Sequence, residues 1–304
     1  MQQRTLKGIC SFEGKGLHTG VPVHLLLRPA PVDTGIVIAR TDIGVEIPAT
    51  ADMVSSTPRS TRLGKGKDGI ATVEHLLSAL TGMGIDNVRV EVDGRELPIL
   101  DGSAAPYSEI MASVGIMEQD APRRWLELDR AIFLSNERTG SWIRITPADE
   151  ASVELSIDYG SRVLKPSSVL YDKSVNYASQ IAPCRTFCFM HELMPMLLLG
   201  LARGGNLDNA IIVAERPVSK LNLSLMARLM GRRTLSITPE GYLDNLSLHF
   251  PDECARHKML DLLGDLRLCG GFLRARVVAH KPGHALNTAA AAQILKYAKI
   301  NSNG

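Results

Sequence analysis

Residues 72–94 read TVEHLLSALTGMGIDNVRVEVDG. Thr72–Leu80 sets its apolar residues at helical spacing. Asn87–Val92 instead alternates Val88, Val90 and Val92 with polar positions and ends on an Asp93-Gly94 turn. A helix leading into a half-buried strand predicts a mixed layer, and the flanking sequence extends it. Val21–Leu27, Gly35–Arg40 and Val45–Ala49 read as strands. Ser103–Val114, with Pro106 near its start, reads as a second helix. Glu118–Arg124 (EQDAPRR) is polar and contains a proline, so the boundary between two domains, residues 1–120 and 125–304, is placed there. Beyond it, Trp125–Leu134, Ser141–Ile145, Ser152–Tyr159 and Arg274–Ala279 read as strands, and Met190–Leu201, Asp252–Leu268 and His284–Ala298 as helices. Strands followed by helices in each half predict an α+β fold rather than a doubly wound parallel sheet.

A chain of 304 residues, 45% hydrophobic and 22% charged, can bury one large core or two ordinary ones. The net charge of +2, with acids and bases interspersed, argues against a nucleic-acid face and for a small-molecule partner. The first twenty residues lack the apolar stretch of a signal peptide, and no run reaches the ~20 apolar residues of a membrane span. The five cysteines form no CxxC pair. These features predict a cytoplasmic protein with reduced thiols. Ser219–Ile237 (SKLNLSLMARLMGRRTLSI) is apolar with Lys220, Arg228, Arg232 and Arg233 interspersed. It reads as an amphipathic surface helix touching core, or as a peripheral contact with a membrane or an amphiphile.

Three segments carry chemistry. In Asp252–Leu266 (DECARHKMLDLLGDL), His257, Asp261 and Asp265 are spaced by four and share one helix face, either as ligands or as a solvated stripe. Glu74-His75 interrupts an otherwise apolar helix, where buried charge must be paired or metal-bound. Zinc with imidazole and carboxylate ligands and a neighbouring carboxylate base fits the pair; so does a satisfied core histidine. His284 follows a strand and begins a helix. Facing a carboxylate such as Asp265 it would stay protonated and stabilise an oxyanion or protonate a leaving amine, unless it merely starts the helix. Other patterns fail on context. GKGKDG at 64–69 follows too polar a segment for a dinucleotide loop and reads as a hairpin turn. His191-Glu192 lacks a second histidine at the required spacing, and neither GxSxG nor a P-loop occurs. His24, His249 and His280 read as structural.

Seven segments in order resemble the UDP-3-O-acyl-N-acetylglucosamine deacetylase family: GKGLHTG (14–20), the 72–94 stretch, PILDGSAAPY (98–107), RTFCF (185–189), GGNLDNAIIV (204–213), FPDECARHKMLDLLGDL (250–266) and GHALN (283–287). The resemblance implies two similar α+β domains, each with an insert and with the active site between them. The activity implied is zinc-dependent hydrolysis of the N-acetyl group of UDP-3-O-(3-hydroxyacyl)-N-acetylglucosamine, the committing step of lipid A biosynthesis, with ferrous iron a second candidate metal in the cell. The implied metal ligands are His75, His257 and Asp261, with Glu74 as general base, His284 as charged stabiliser and acid, and Asp265 orienting it. Thr186 would help polarise the carbonyl, Phe187 would flank the sugar, and Lys258 would reach the hexosamine or diphosphate. Leu197 and Leu201, in the second insert near 190–213, would line an acyl passage. His18 fits a structural or rim role, and a monomer is expected. Two features depart from the family pattern: the stretch between 213 and 250 is longer, and GSRVLKPSSV (160–169) replaces a usual Pro-x-Ile-Gly-x-Gln.

Overall fold

The computed structural model describes residues 1–198 and 203–301. Among these, seven α-helices and several sheets make a mixed α+β architecture. The helices are α1 (Glu74–Gly82), α2 (Ala105–Val114), α3 (Tyr177–Gln180), α4 (Met190–Leu198), α5 (Lys220–Leu229), α6 (Glu253–Leu266) and α7 (His284–Tyr297).

A five-stranded sheet takes all its strands from the first half, in the order Cys10–Lys15, Pro22–Pro29, Val88–Val92, Ile36–Arg40, Val45–Pro48. Val88, Val90 and Val92 are buried and Arg89 and Glu91 are half-buried, as the alternation requires. A seven-stranded sheet takes its strands from the second half. Its central strand, Phe272–His280, pairs antiparallel with Ser141–Pro147 and parallel with Ser152–Ile157. A short three-stranded sheet spans residues 54–71. There the GKGKDG turn joins Arg62–Leu63 to Ile70–Ala71, an antiparallel hairpin as expected.

Two strand expectations need correction. Glu118–Arg124 is not an unstructured break, because Ile116–Pro122 pairs antiparallel with Gln2–Leu6. Its polarity reflects a two-stranded ribbon with no fully buried position along Ile116–Pro122. Trp125–Leu134 is two strands, Trp125–Glu127 and Ile132–Asn136, which pair with different partners.

The two halves meet through helices. Gly264 of α6 lies against α1: a Cβ there would overlap the Glu74 carbonyl oxygen and would sit 3.1 Å from the Ser78 nitrogen. Only a glycine permits so close a crossing, which carries the ionisable residues of α1 to those of α6. One continuous buried cluster joins Leu76, Leu77 and Leu80 of α1 with Met259, Leu260 and Leu263 of α6. A separate small core joins Met190 and Leu193 of α4 to Met226 near the end of α5.

Candidate metal centre and catalytic cavity

His75 follows the first residue of α1, and His257 and Asp261 stand one turn apart on α6. The helix crossing brings one ligand atom of each within 4.8 Å of the others, and all three side chains are buried. Asp261 Oδ1 lies 3.4 Å from His257 Nε2 and 3.8 Å from His75 Nε2. The Cys184 carbonyl, 3.0 Å from His257 Nδ1, accepts that nitrogen's proton and leaves Nε2 as the lone-pair nitrogen. Burial lowers both histidines: His75 falls to about 3, helped by His257 beside it, and His257 falls although Asp261 opposes the shift. Asp261 lies well below the carboxylate range. Burial alone would raise it, but Lys258 and the histidines hold it ionised.

Two neutral imidazoles and one carboxylate are one of the donor sets that hold a catalytic zinc. His75 Nδ1 is buried with no protein partner. Such an atom costs about 1–3 kcal/mol, which ligation of the ring by a cation would offset. The residues therefore fit a metal.

A carboxylate and a third imidazole flank this triad. Glu74, 3% exposed, accepts from the Thr61 backbone N–H at 3.0 Å, and burial pushes its pKa up to about 7 against the pull of His284. His284 opens α7, with Nε2 3.9 Å from Glu74 Oε1 and Nδ1 2.8 Å from Asp265 Oδ2. Burial alone would lower its pKa, yet Asp265, by charge and hydrogen bond, and then Glu74 raise it to about 10. Asp265 is fully buried and also accepts from Thr61 Oγ1 at 2.5 Å and Asn287 Nδ2 at 2.9 Å.

These groups open on one cavity of about 210 Å³. Glu74, His75, His257, Asp261 and His284 line its polar end, and Thr186, Phe187 and Lys258 line it too. Leu193 and Ile212 add apolar wall. Thr186 is fixed through its backbone, which donates to Gly102 O and accepts from Ile211 N. Phe187 packs its ring 6.3 Å from that of His257, and the Lys258 ammonium lies 5.5 Å over it. Lys258, expected to point at substrate, holds Asp261 Oδ2 at 2.8 Å. Asp265 sits behind His284. Leu201 lies outside the described residues, as does the side chain of Leu197.

Sequence reasoning missed three supports. Thr61 bridges Glu74 and Asp265, Asn287 completes the Asp265 cage, and Glu96 accepts from His18 N and Thr19 N at 2.9 Å and Thr72 Oγ1 at 3.0 Å. Glu96 thereby ties the 14–20 loop to Thr72, which has φ +60° two residues before Glu74. Only Asn287 left a trace, as a polar residue beside an alanine-rich run. The 203–209 loop presses on the same region. A Cβ at Gly204 would overlap Gly16 O, and one at Gly102 would overlap Asn209 O.

A sequence profile described as "LpxC: UDP-3-O-acyl N-acetylglycosamine deacetylase" matches residues 3–228 and 222–296. The protein named UDP-3-O-acyl-N-acetylglucosamine deacetylase from Myxococcus xanthus is 43% identical over 94% of this chain and 83% of its own length. Its namesake from Anaeromyxobacter dehalogenans is 42% identical over 96% and 87%. The "Bifunctional enzyme LpxC/FabZ" of Porphyromonas gingivalis is 39% identical over 99% of this chain, which spans 65% of that protein's length. With the profile matching nearly the whole chain and relatives of this name above 40% identity, the chain belongs to the UDP-3-O-acyl N-acetylglycosamine deacetylase family.

Proposed function

We propose that this chain is a zinc-dependent amidase that hydrolyses the acetamide of UDP-3-O-(3-hydroxyacyl)-N-acetylglucosamine to acetate and UDP-3-O-acyl-glucosamine, the committing step of lipid A biosynthesis. The observation that carries it is the convergence of His75, His257 and Asp261 between a carboxylate poised near neutrality and a histidine held charged. The family is one of metalloenzymes, and its name supplies the substrate class.

In this reading His75, His257 and Asp261 hold the ion. Zinc, or ferrous iron in the cell, would supply a Lewis acid for the acetamide carbonyl and lower the pKa of water. Glu74 takes the proton of the attacking water. His284, charged by Asp265, faces Glu74 from across the site and stabilises the developing oxyanion, and Thr186 adds a hydroxyl from the opposite wall. The leaving amine gains its proton from His284 or from Glu74. Lys258 keeps Asp261 ionised and, with Phe187, borders the sugar. Leu193 and Ile212 supply apolar wall that suits an acyl chain. Two domains, 1–120 and 125–304, meet at the site, a division supported by each large sheet drawing its strands from one half. The protein is read as a cytoplasmic monomer, in keeping with five unpaired cysteines. No described helix is long and apolar enough to cross a membrane.

Acetate release from the acylated nucleotide sugar, measured before chelation, after it and after one equivalent of zinc is restored, tests the reaction. Activity that vanishes and returns with the metal is the expected result. A zinc-loaded protein that releases none would overturn the substrate assignment, and activity insensitive to complete metal removal would overturn the mechanism.

A further inference from the structure

Helix α5 lies within the stretch that is longer than the family pattern. Its inner side, Leu223, Met226 and Met230, packs into the small core with α4. At 3.6 residues per turn, Leu221, Leu225 and Leu229 fall on the opposite side of the helix. They are 77%, 41% and 50% exposed. A surface helix ordinarily turns polar residues outward there, whereas this one presents three leucines in line. The flanks are basic: from Arg216 to Pro239 the chain carries Arg216, Lys220, Arg228, Arg232 and Arg233 and no acidic residue. Arg232 pairs with Asp208 at 2.6 Å, and Arg228 lies beside the leucine stripe.

We propose that α5 docks this protein on an anionic lipid bilayer, the leucines entering the interface and the flanking basic residues meeting headgroup phosphates. Charge selects this occupant over a second copy of the chain, because an isologous contact would set the same cations against one another. The contact is peripheral, since α5 has ten residues. It rests on α5 and its flanks, so it stands or falls independently of the reaction. Met230, on the inner side, lines the catalytic cavity, so docking places the cavity wall about one helix diameter, ~10 Å, from the lipid. If the substrate is as proposed, its acyl chain has a short route between bilayer and cavity.

The test is co-sedimentation of the full chain, metal-loaded, with phosphatidylethanolamine–phosphatidylglycerol vesicles and with phosphatidylcholine vesicles. The triple variant Leu221→Ser, Leu225→Ser, Leu229→Ser and the double variant Arg228→Glu, Arg233→Glu are run beside the wild type. The expected result is binding to the anionic vesicles that weakens with salt and falls about tenfold or more in each variant, with melting temperature unchanged because the side chains are exposed. Wild type that stays in the supernatant overturns the proposal. So does a leucine variant that binds like wild type, which reduces the effect to charge alone. A wild-type dimer that the leucine variant converts to monomer in light scattering assigns the stripe to a second copy and overturns it equally.

Discussion

Replacing Gly264 by alanine perturbs the site without touching a ligand. The added Cβ would lie 2.9 Å from the Glu74 carbonyl carbon and would overlap its oxygen. Relaxed carbon–carbon contact needs about 3.5–4.0 Å, so α1 and α6 must separate by roughly 1 Å. Overpacking of this kind costs about 1–3 kcal/mol, and alanine's better helix propensity returns up to ~1 kcal/mol. A net loss of about 1–2 kcal/mol lowers the metal-free melting temperature by roughly 2–3 °C in a chain of this size. The larger effect falls on the metal. His75 moves with α1 and His257 and Asp261 with α6, so zinc affinity drops about 10-fold or more, as it does when a ligand's supporting contacts are lost. Thermal unfolding of the metal-free protein and competition against a calibrated chelator read the two effects separately. A Gly264→Ala protein with wild-type melting and wild-type zinc affinity would refute the claim that this crossing sets the ligand geometry.

Glu74→Gln is expected to keep the metal and lose about 10²–10⁴-fold in turnover, while His257→Ala loses metal and turnover together; metal analysis beside acetate assays checks both. Turnover should follow a bell in pH. Its acid limb lies at or below about 7, because a bound cation favours the ionised form of Glu74, and its alkaline limb lies at or below about 10, because the same cation disfavours the charged form of His284. Asp265→Asn should bring the alkaline limb down, and an unmoved limb would remove Asp265 from that role. In the metal-free protein the raised pKa of His284 gives stability present in full below about 6.5, its unfolded value, and lost as pH climbs toward about 10. Chemical denaturation across that range reads the loss. Glu96→Ala strips three acceptor bonds from buried or half-buried donors and is expected to cost about 1–3 kcal/mol and to lower turnover through the Thr72–Glu74 turn.

The ligand helices were legible because their signal is local. His257, Asp261 and Asp265 share a face by spacing alone, and Glu74-His75 stands out against the five apolar residues of Thr72–Leu80. The fold class was legible for the same reason, through the Val88–Val92 alternation and the helices beside it. The Ile116–Pro122 strand was not, since its partner is the chain's first residues and none of its own positions is fully buried. Thr61 was hidden more completely. It lies in a polar run that fits a loop, and its hydroxyl acts on Asp265, 204 residues away. Residues that act by holding another side chain leave no periodicity to read.

The loop at 203–209 meets the first half backbone to backbone, through Gly204 on Gly16 and Gly102 on Asn209. Contacts of that kind hold only while 102 and 204 are glycine, whereas α4 and α5 are held to each other by a small apolar set in which one hydrophobe can replace another. The molecule is therefore modular at this seam. Substitutions inside the small core can reshape the cavity wall at Leu193, Ile212 and Met230 while His75, His257 and Asp261 stay in register.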